Sequence, residues 1–352
     1  MDIHSKPDPD FIPHSRPTLG AEEEKAVSAV IDSGHIAEGS VVREFESAFA
    51  RRMGVDLAVA TSSGTAALHL TLLAMEVRPG DEVIMPSYVC TALLNAVRYV
   101  GASPVLAEID PVTYNIDPRD VKRRLSRHTK AIIVPHLFGL SADLDHLLEL
   151  DVPIIEDCAQ SVGARSGEKL LGTFGVAGIF SFYATKMMTC GEGGMVISNS
   201  EKLLNRVADL KTYDEKQRYE IRFNYKMTDI QAAIGLAQLA RLDAFIHRRR
   251  AIAIRYLKAF QSLDLKLPPD DPAHIYYRFV IGFKTDSQPM LSRLTQRGIG
   301  CARPIYMPLH NYLKLQGYPL TDLAWQTSFS IPIYPSLSDE EMNRVIEVVG
   351  EK

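Results

Sequence analysis

Between residues 55 and 200, short apolar runs alternate with segments of helical periodicity, and no other feature constrains the fold of this chain as much. The runs are DLAVA (56–60), EVIMP (82–86), PVLAEI (104–109), KAIIVP (130–135), PIIED (153–157), AGIFSFY (177–183) and GMVIS (194–198). Most are continuously apolar, the pattern of strands buried on both faces. Strands that alternate with helices imply a mostly parallel sheet covered by helices. Between the runs, TAALHLTLLAME places Leu68, Leu72 and Leu73 on one side of a helix. A further helix opens at Asp117, where Pro118 at the first helical position and Asp120 in the first turn suit a helix start.

Beyond Met227 the pattern changes. Residues 227–260 read as one long helical stretch, with a break expected near Phe245. HIYYRFVIGF reads as a strand, and LSDEEMNRVIEVV as a closing helix whose Ser338 and Glu341 have capping-box spacing. The expected organisation is an N-terminal arm over 1–15, a large domain over 16–244 and a smaller α/β domain over 245–352. A helix at about 20–33 is expected to pack on the small domain or the sheet.

The 46% hydrophobic content suits a large core, and a net charge of −4 argues against a nucleic-acid surface. The one dense basic cluster, His247 to Arg250, reads as a solvated helix face or as a contact to a substrate phosphate. Cysteines at 90, 158, 190 and 301 lack CxxC spacing, which fits free thiols and a cytoplasmic location. No apolar stretch approaches the ~20 residues of a membrane span. The histidines show no metal-ligand spacing, so no metal is expected.

The chemistry gathers around SFYATKMMTCGEGG, where Lys186 follows a core-strand run and precedes a glycine-rich loop. A lysine there is either an ordinary surface charge or a partly desolvated amine able to form an imine. Its partners decide. In PIIEDCAQSVGA, Asp157 ends a buried strand, where a carboxylate needs a cation; Glu156 caps or faces elsewhere. A protonated pyridine nitrogen is such a cation. TSSGTAALHL is a strand, turn and helix of the kind that cradles phosphate, with Gly64 permitting close approach. In MPSYVCT, Tyr88 either stacks on a flat ring or belongs to the core. His69, His136 and Cys158 read as packing residues.

Together GTAAL, PSY, EDCAQSVGA, SFYATK with GEGG, and FNYKMTDIQAAIGLAQL resemble the fold-type I pyridoxal-phosphate (PLP) enzymes of the DegT/StrS sugar-aminotransferase family, over nearly the whole chain after residue 15. The resemblance implies a large domain with a mostly parallel seven-stranded sheet and a smaller C-terminal α/β domain. It assigns Lys186 to the lysine that carries PLP as an internal aldimine and then shuttles protons. Asp157 becomes the partner of the pyridine nitrogen and Gln160 a donor to the 3-hydroxyl. Tyr88 becomes the ring-stacking aromatic, and Gly64, Thr65 and Ser181 the phosphate contacts. Asn224 matches an asparagine that reaches the cofactor phosphate of a neighbouring subunit, implying a homodimer with shared sites. The implied reaction is a ping-pong transfer of an amino group from glutamate or glutamine to a keto sugar, expected to be nucleotide-linked. Arg222, Tyr306 and His310 are the substrate-contact candidates, Arg222 having a surface salt bridge as its alternative. A histidine common in the family before Pro-Leu-His is absent here, where Ile305-Tyr306-Met307 stand. That leaves a cyclitol or other cyclic ketone as an alternative acceptor, and a PLP-binding regulatory protein without turnover as an alternative of another class.

Overall fold

The computed structural model describes residues 10–351. The sequence runs become β1 (Ala58–Thr61), β2 (Glu82–Pro86), β3 (Ser103–Ala107), β4 (Thr129–Pro135) and β5 (Ile154–Asp157). A two-residue hairpin, β6 (Arg165–Ser166) and β7 (Lys169–Leu170), precedes β8 (Ala177–Ser181) and β9 (Gly194–Ile197). The seven long runs form one sheet in the order β1-β9-β8-β5-β4-β2-β3. Every pairing is parallel except those of β9, which is antiparallel to both β1 and β8. The C-terminal ends of β1, β2, β5 and β8, and the start of β9, therefore meet at one edge.

The sheet is buried on both faces, which explains its continuous apolar runs. On one side Ala60, Ile84, Ile132, Ile154 and Phe180 pack with Phe45 and Phe49 of the helix Ser40–Met53. On the other, Val59, Val83, Ile133, Ile155 and Ile179 pack with Leu68, Leu70 and Leu72 of the helix Gly64–Ala74. The helix Pro118–Arg124 starts as expected, with the Asp117 carboxylate accepting from Arg119 N–H.

A second core joins β10 (Phe279–Gly282) and β11 (Ser328–Ile331), antiparallel to each other, to the closing helix Asp339–Gly350. That helix carries the full Ser338–Glu341 capping box. The helix Asp229–Phe260 is continuous through Phe245, correcting the expected break. No proline or unsatisfied turn interrupts it, and Phe245 and Ile246 are buried within it. Its N-terminal half packs on the helices Ala21–Ser33 and Ser40–Met53, while Ile252, Tyr256 and Phe260 enter the second core. The expected boundary at 244/245 falls inside this helix.

Of the expected N-terminal arm, residues 1–9 lie outside the described residues. Ile12 donates its N–H to the Gly298 carbonyl and accepts from Gly300 N–H, tying the chain to the C-terminal part. In the basic cluster His247 is exposed, as a solvated face requires, while the arginines hold the fold together. Arg248 donates to the Leu337 carbonyl and Asp339, Arg249 is buried on three carbonyls, and Arg250 donates to the His274 carbonyl. No helix among the described residues is long and apolar enough to cross a membrane.

Candidate active site

Side chains alternate along β5, so its two terminal acids face opposite ways. Glu156 is fully buried and structural. It accepts from Gly172 N–H (2.7 Å), Phe174 N–H (2.7 Å), Gly175 N–H (2.8 Å) and His136 Nε2 (3.0 Å). Because Ala142 N–H donates to His136 Nδ1, the ring proton sits on Nε2 and points at Glu156. Burial would raise the Glu156 carboxyl, but His136 and the backbone donors outweigh it and hold it below its ordinary value. Cys158 lies close enough to make a metal-like trio with His136 and Glu156. Their hydrogen bonds already satisfy the polar groups, so the trio needs no ion.

Asp157 turns toward the open edge of the sheet. Ala159 N–H donates to its Oδ1 at 3.0 Å, and its Oδ2 has no partner among the described residues. Burial pushes its carboxyl up; the Ala159 N–H and the positive fields of Lys186 and His136 act against this. Lys186, half-buried after β8, acts on Asp157 electrostatically, and among the described residues it is ion-paired to no carboxylate. The two groups thus interact through space without touching.

The candidate phosphate cradle forms where β1 and β8 end and β9 begins. A Cβ on Gly64 would come 2.9 Å from Ser181 Cβ, and one on Gly194 would come 2.4 Å from the Ser63 carbonyl group. Only glycine permits that approach. Ser63 caps the helix Gly64–Ala74 through Ala66 N–H, leaving the N–H groups of Gly64 and Thr65 unpaired among the described residues. The hydroxyls of Thr65 and Ser181 have no partner there either. Two open amides at a helix N-terminus make an anion site. Gln160 accepts Phe138 N–H on Oε1 (2.9 Å), leaving its Nε2 free to donate. An open carboxylate oxygen, an open amide donor and an open phosphate cradle are the complement of PLP.

Three expectations need correction. Tyr88 does not line the open edge: it has no exposed surface, stacks on Tyr114 with centroids 5.8 Å apart and sits among Ile109, Leu137 and Phe138. Cys90, two residues on, is exposed and lies in the fields of Asp157 and Lys186. His310 is 2% exposed, and both its ring nitrogens are engaged, Nδ1 with Ser87 Oγ (2.7 Å) and Nε2 with Asp322 (3.0 Å). Arg222 takes its salt-bridge alternative, donating to Asp209 and to the Arg218 carbonyl. Tyr306 is free, 87% exposed beside Arg303 and Trp325 on a groove of about 1090 Å³. Asn224 is exposed on the segment whose Tyr225 carbonyl accepts Ser62 N–H, beside the cradle. Sequence reading missed Tyr277, whose ring lies under Lys186 Nζ, 5.3 Å from the centroid.

Residues 17–350 match the DegT/DnrJ/EryC1/StrS aminotransferase family. The chain belongs to this family. It is 36% identical to GDP-perosamine synthase of Escherichia coli O157:H7, over 97% of this chain and 98% of that protein. The aminotransferase TlmJ from Streptoalloteichus hindustanus shares the fold at a TM-score of 0.92 and 33% identity, over 96% of this chain and 98% of that one. The PLP form of the sugar aminotransferase Spr1654 from Streptococcus pneumoniae matches at 0.91 and 26% identity, over 96% and 97%; a pyridoxamine-phosphate form of the same protein matches equally. The chain is a PLP-dependent aminotransferase that acts on keto sugars.

Proposed function

We propose that the enzyme aminates a nucleotide-linked keto-deoxysugar with glutamate or glutamine as donor, in two half-reactions at one site. The observation that carries this reading is Asp157, whose carboxylate keeps one oxygen unpartnered among the described residues and lies in the field of Lys186 without contacting it. The likeness to GDP-perosamine synthase supports the nucleotide link.

Bound PLP supplies a sink for the electrons left when the donor's Cα loses its proton. The side chains do the rest. Asp157 holds the ring nitrogen's proton through its open oxygen. Gln160 Nε2 donates to the ring hydroxyl. The Gly64 and Thr65 amides, with the Ser181 hydroxyl, take the phosphate. Lys186 Nζ, once free, would move the proton from the donor's Cα to the cofactor's C4′ and, after the keto acid has left and the keto sugar has entered, would move a proton from C4′ to the sugar carbon. The Cys90 thiol lies in the fields of Asp157 and Lys186, in the position first expected of Tyr88. Tyr306 offers an aromatic contact to the far end of the sugar substrate.

Asn224, exposed and without a partner among the described residues, supports a dimer in which it reaches the cofactor phosphate of a second copy. Tyr219 (97% exposed) and Ile221 (70%) on the same segment suit burial by that copy. The four free cysteines support the cytoplasm as its compartment.

The test is optical. The visible band of the purified holoenzyme should vanish on adding glutamate or glutamine without acceptor and return with a GDP-linked keto sugar. A band that persists with both donors defeats the donor assignment. Return of the band with the free sugar but not the nucleotide-linked one defeats the substrate assignment.

A further inference from the structure

Tyr277 is a nearly buried phenol, 6% exposed, that the chemistry above does not use. It is fixed at both backbone groups: its N–H donates to the Phe138 carbonyl (2.8 Å) and its carbonyl accepts from Arg249 Nη1 (3.1 Å). Lys186 Nζ lies 5.3 Å from its ring centroid and the Arg278 guanidinium 5.5 Å from the same point. Thr185 lines the same small cavity as the phenol. Behind it Arg249 is 3% exposed, donates from Nη1 only to the carbonyls of Tyr276, Tyr277 and Ile333, and has an unpartnered Nε. Neither arginine pairs with a carboxylate among the described residues. A cavity of about 10 Å³ bounded by His14, Thr185, Arg249, Tyr277 and Arg278 has no carboxylate in its wall. Buried cations without counter-charge are costly, and this phenol is the one acid among those wall residues.

We propose that Tyr277 is a positioning residue for Lys186: its ring seats the amine, and its hydroxyl is the acid that answers the amine's charge. The inference rests on Lys186 being the reactive amine. Burial alone would push the phenol up; Lys186, Arg278, Thr185 and Arg249 outweigh it and bring it to about 8. Arg249 faces it from the long helix, Arg278 from its own strand and Lys186 from the loop after β8. His14, from the N-terminal segment, adds no charge, because burial and Arg278 push its imidazole down to about 3. When Lys186 carries a proton, its ammonium lies against the ring face and favours loss of the phenolic proton to solvent. When Lys186 is neutral, the phenol keeps its proton.

The test is an ultraviolet titration of tyrosinate in the cofactor-free wild type, Tyr277→Phe and Lys186→Ala proteins. One tyrosine should titrate near pH 8 in the wild type, be missing from Tyr277→Phe, and move up by about one pH unit or more in Lys186→Ala. In turnover, Tyr277→Phe keeps the seat and should lose a pH limb near 8 with KM unchanged, whereas Tyr277→Leu should lower kcat about tenfold or more. Absence of a titration near pH 8, or an unmoved one in Lys186→Ala, overturns the proposal. Borohydride reduction of the holoenzyme followed by peptide mapping identifies the imine lysine separately. A label on Lys186 with no tyrosine response overturns only the role of Tyr277; a label elsewhere overturns that role and the assignment of Lys186 together.

Discussion

Replacing Glu156 by Gln should cost stability and spare the chemistry, whereas Asp157→Asn should do the reverse. The two acids are adjacent, yet their surroundings differ in kind. Glu156 accepts four hydrogen bonds with no exposed surface. In Glu156→Gln one oxygen still accepts from Phe174 and Gly175, but without the charge. The amide nitrogen replaces the oxygen that faces Gly172 N–H and His136 Nε2–H. The imidazole cannot relieve this by changing tautomer, because its Nδ1 already accepts from Ala142 N–H. Two donors are left facing a donor, and two charge-assisted bonds become neutral ones. At about 1–3 kcal/mol for each stranded group, the loss is about 3–5 kcal/mol. For a chain of this size that corresponds to a fall in Tm on the order of 4–7 °C. Because the Glu156 carboxyl is held below its ordinary value, its contribution is present above the unfolded-state value of about 4.5 and is lost as pH falls through the lower folded one. The difference in Tm between wild type and Glu156→Gln should therefore shrink in acid. Scanning calorimetry of the cofactor-free proteins measures it, and turnover per folded active site measures the chemistry. Asp157→Asn should melt within a degree or two of wild type and lose about a hundredfold or more in turnover. A Glu156→Gln protein as stable as wild type, or an Asp157→Asn protein that unfolds, would refute the division of labour read from β5.

Further outcomes follow from single contacts. Cys90 should react with a thiol reagent in the cofactor-free enzyme and be protected by PLP, with Cys158 and Cys190 silent; mass mapping reads it. Although the residue is exposed, desolvation at its thiol and the negative field of Asp157 push the Cys90 thiol up, so its labelling should speed with rising pH well above neutrality. Gly64→Ala, with a new Cβ 2.9 Å from Ser181, should weaken PLP binding about tenfold or more while leaving the melt of the cofactor-free protein nearly unchanged. His310→Ala removes the side-chain partner of the buried Ser87 hydroxyl and should lower Tm by a few degrees, a cost of about 1–3 kcal/mol, with little change in KM for the sugar.

What the sequence disclosed, and what it withheld, divides along the range of the interactions involved. The strands were legible because a sheet covered on both faces demands unbroken apolar runs, and PIIED ended where the buried strand ends. Parity along β5 separates Asp157 from Glu156 only once it is known which face of the sheet carries the ligand, and that depends on where β8 lies. Tyr88 misled for a related reason. Beyond Pro86 the chain leaves the strand, the two-residue alternation lapses, and the residue that emerges at the edge is Cys90. The long helix hid its continuity because its apolar face serves two cores in succession. Leu242 packs in the first and Ile252 in the second, so a shift of face looked like a break. Arg249 follows from the same shift. It lies where one buried face gives way to the other, and its partners are carbonyls, which no side-chain pattern announces.

His310 and Tyr277 lie furthest from any local signal. His310 is claimed by Ser87 across most of the chain, a contact that exists only because the C-terminal part closes over the end of β2. Tyr277 meets Lys186 by the same closure, since its N–H is bonded to Phe138 at the mouth of the site. The C-terminal part is thus attached to this edge of the sheet through the backbone of the residue whose ring lies against the Lys186 amine. A movement of that part, on substrate entry or product release, would carry the Tyr277 ring with it and alter the seat of Lys186. Loosening that attachment without touching either side chain should therefore change catalysis. Gly139 offers the means: its φ of +90° favours glycine, and an added Cβ would meet Ile275 at 2.5 Å and Tyr277 N at 3.2 Å. Gly139→Ala should lower kcat more than it raises KM for the donor, and steady-state kinetics alongside a melt would show it. An unchanged kcat in a folded Gly139→Ala enzyme would mean that the placement of Tyr277 does not govern the amine.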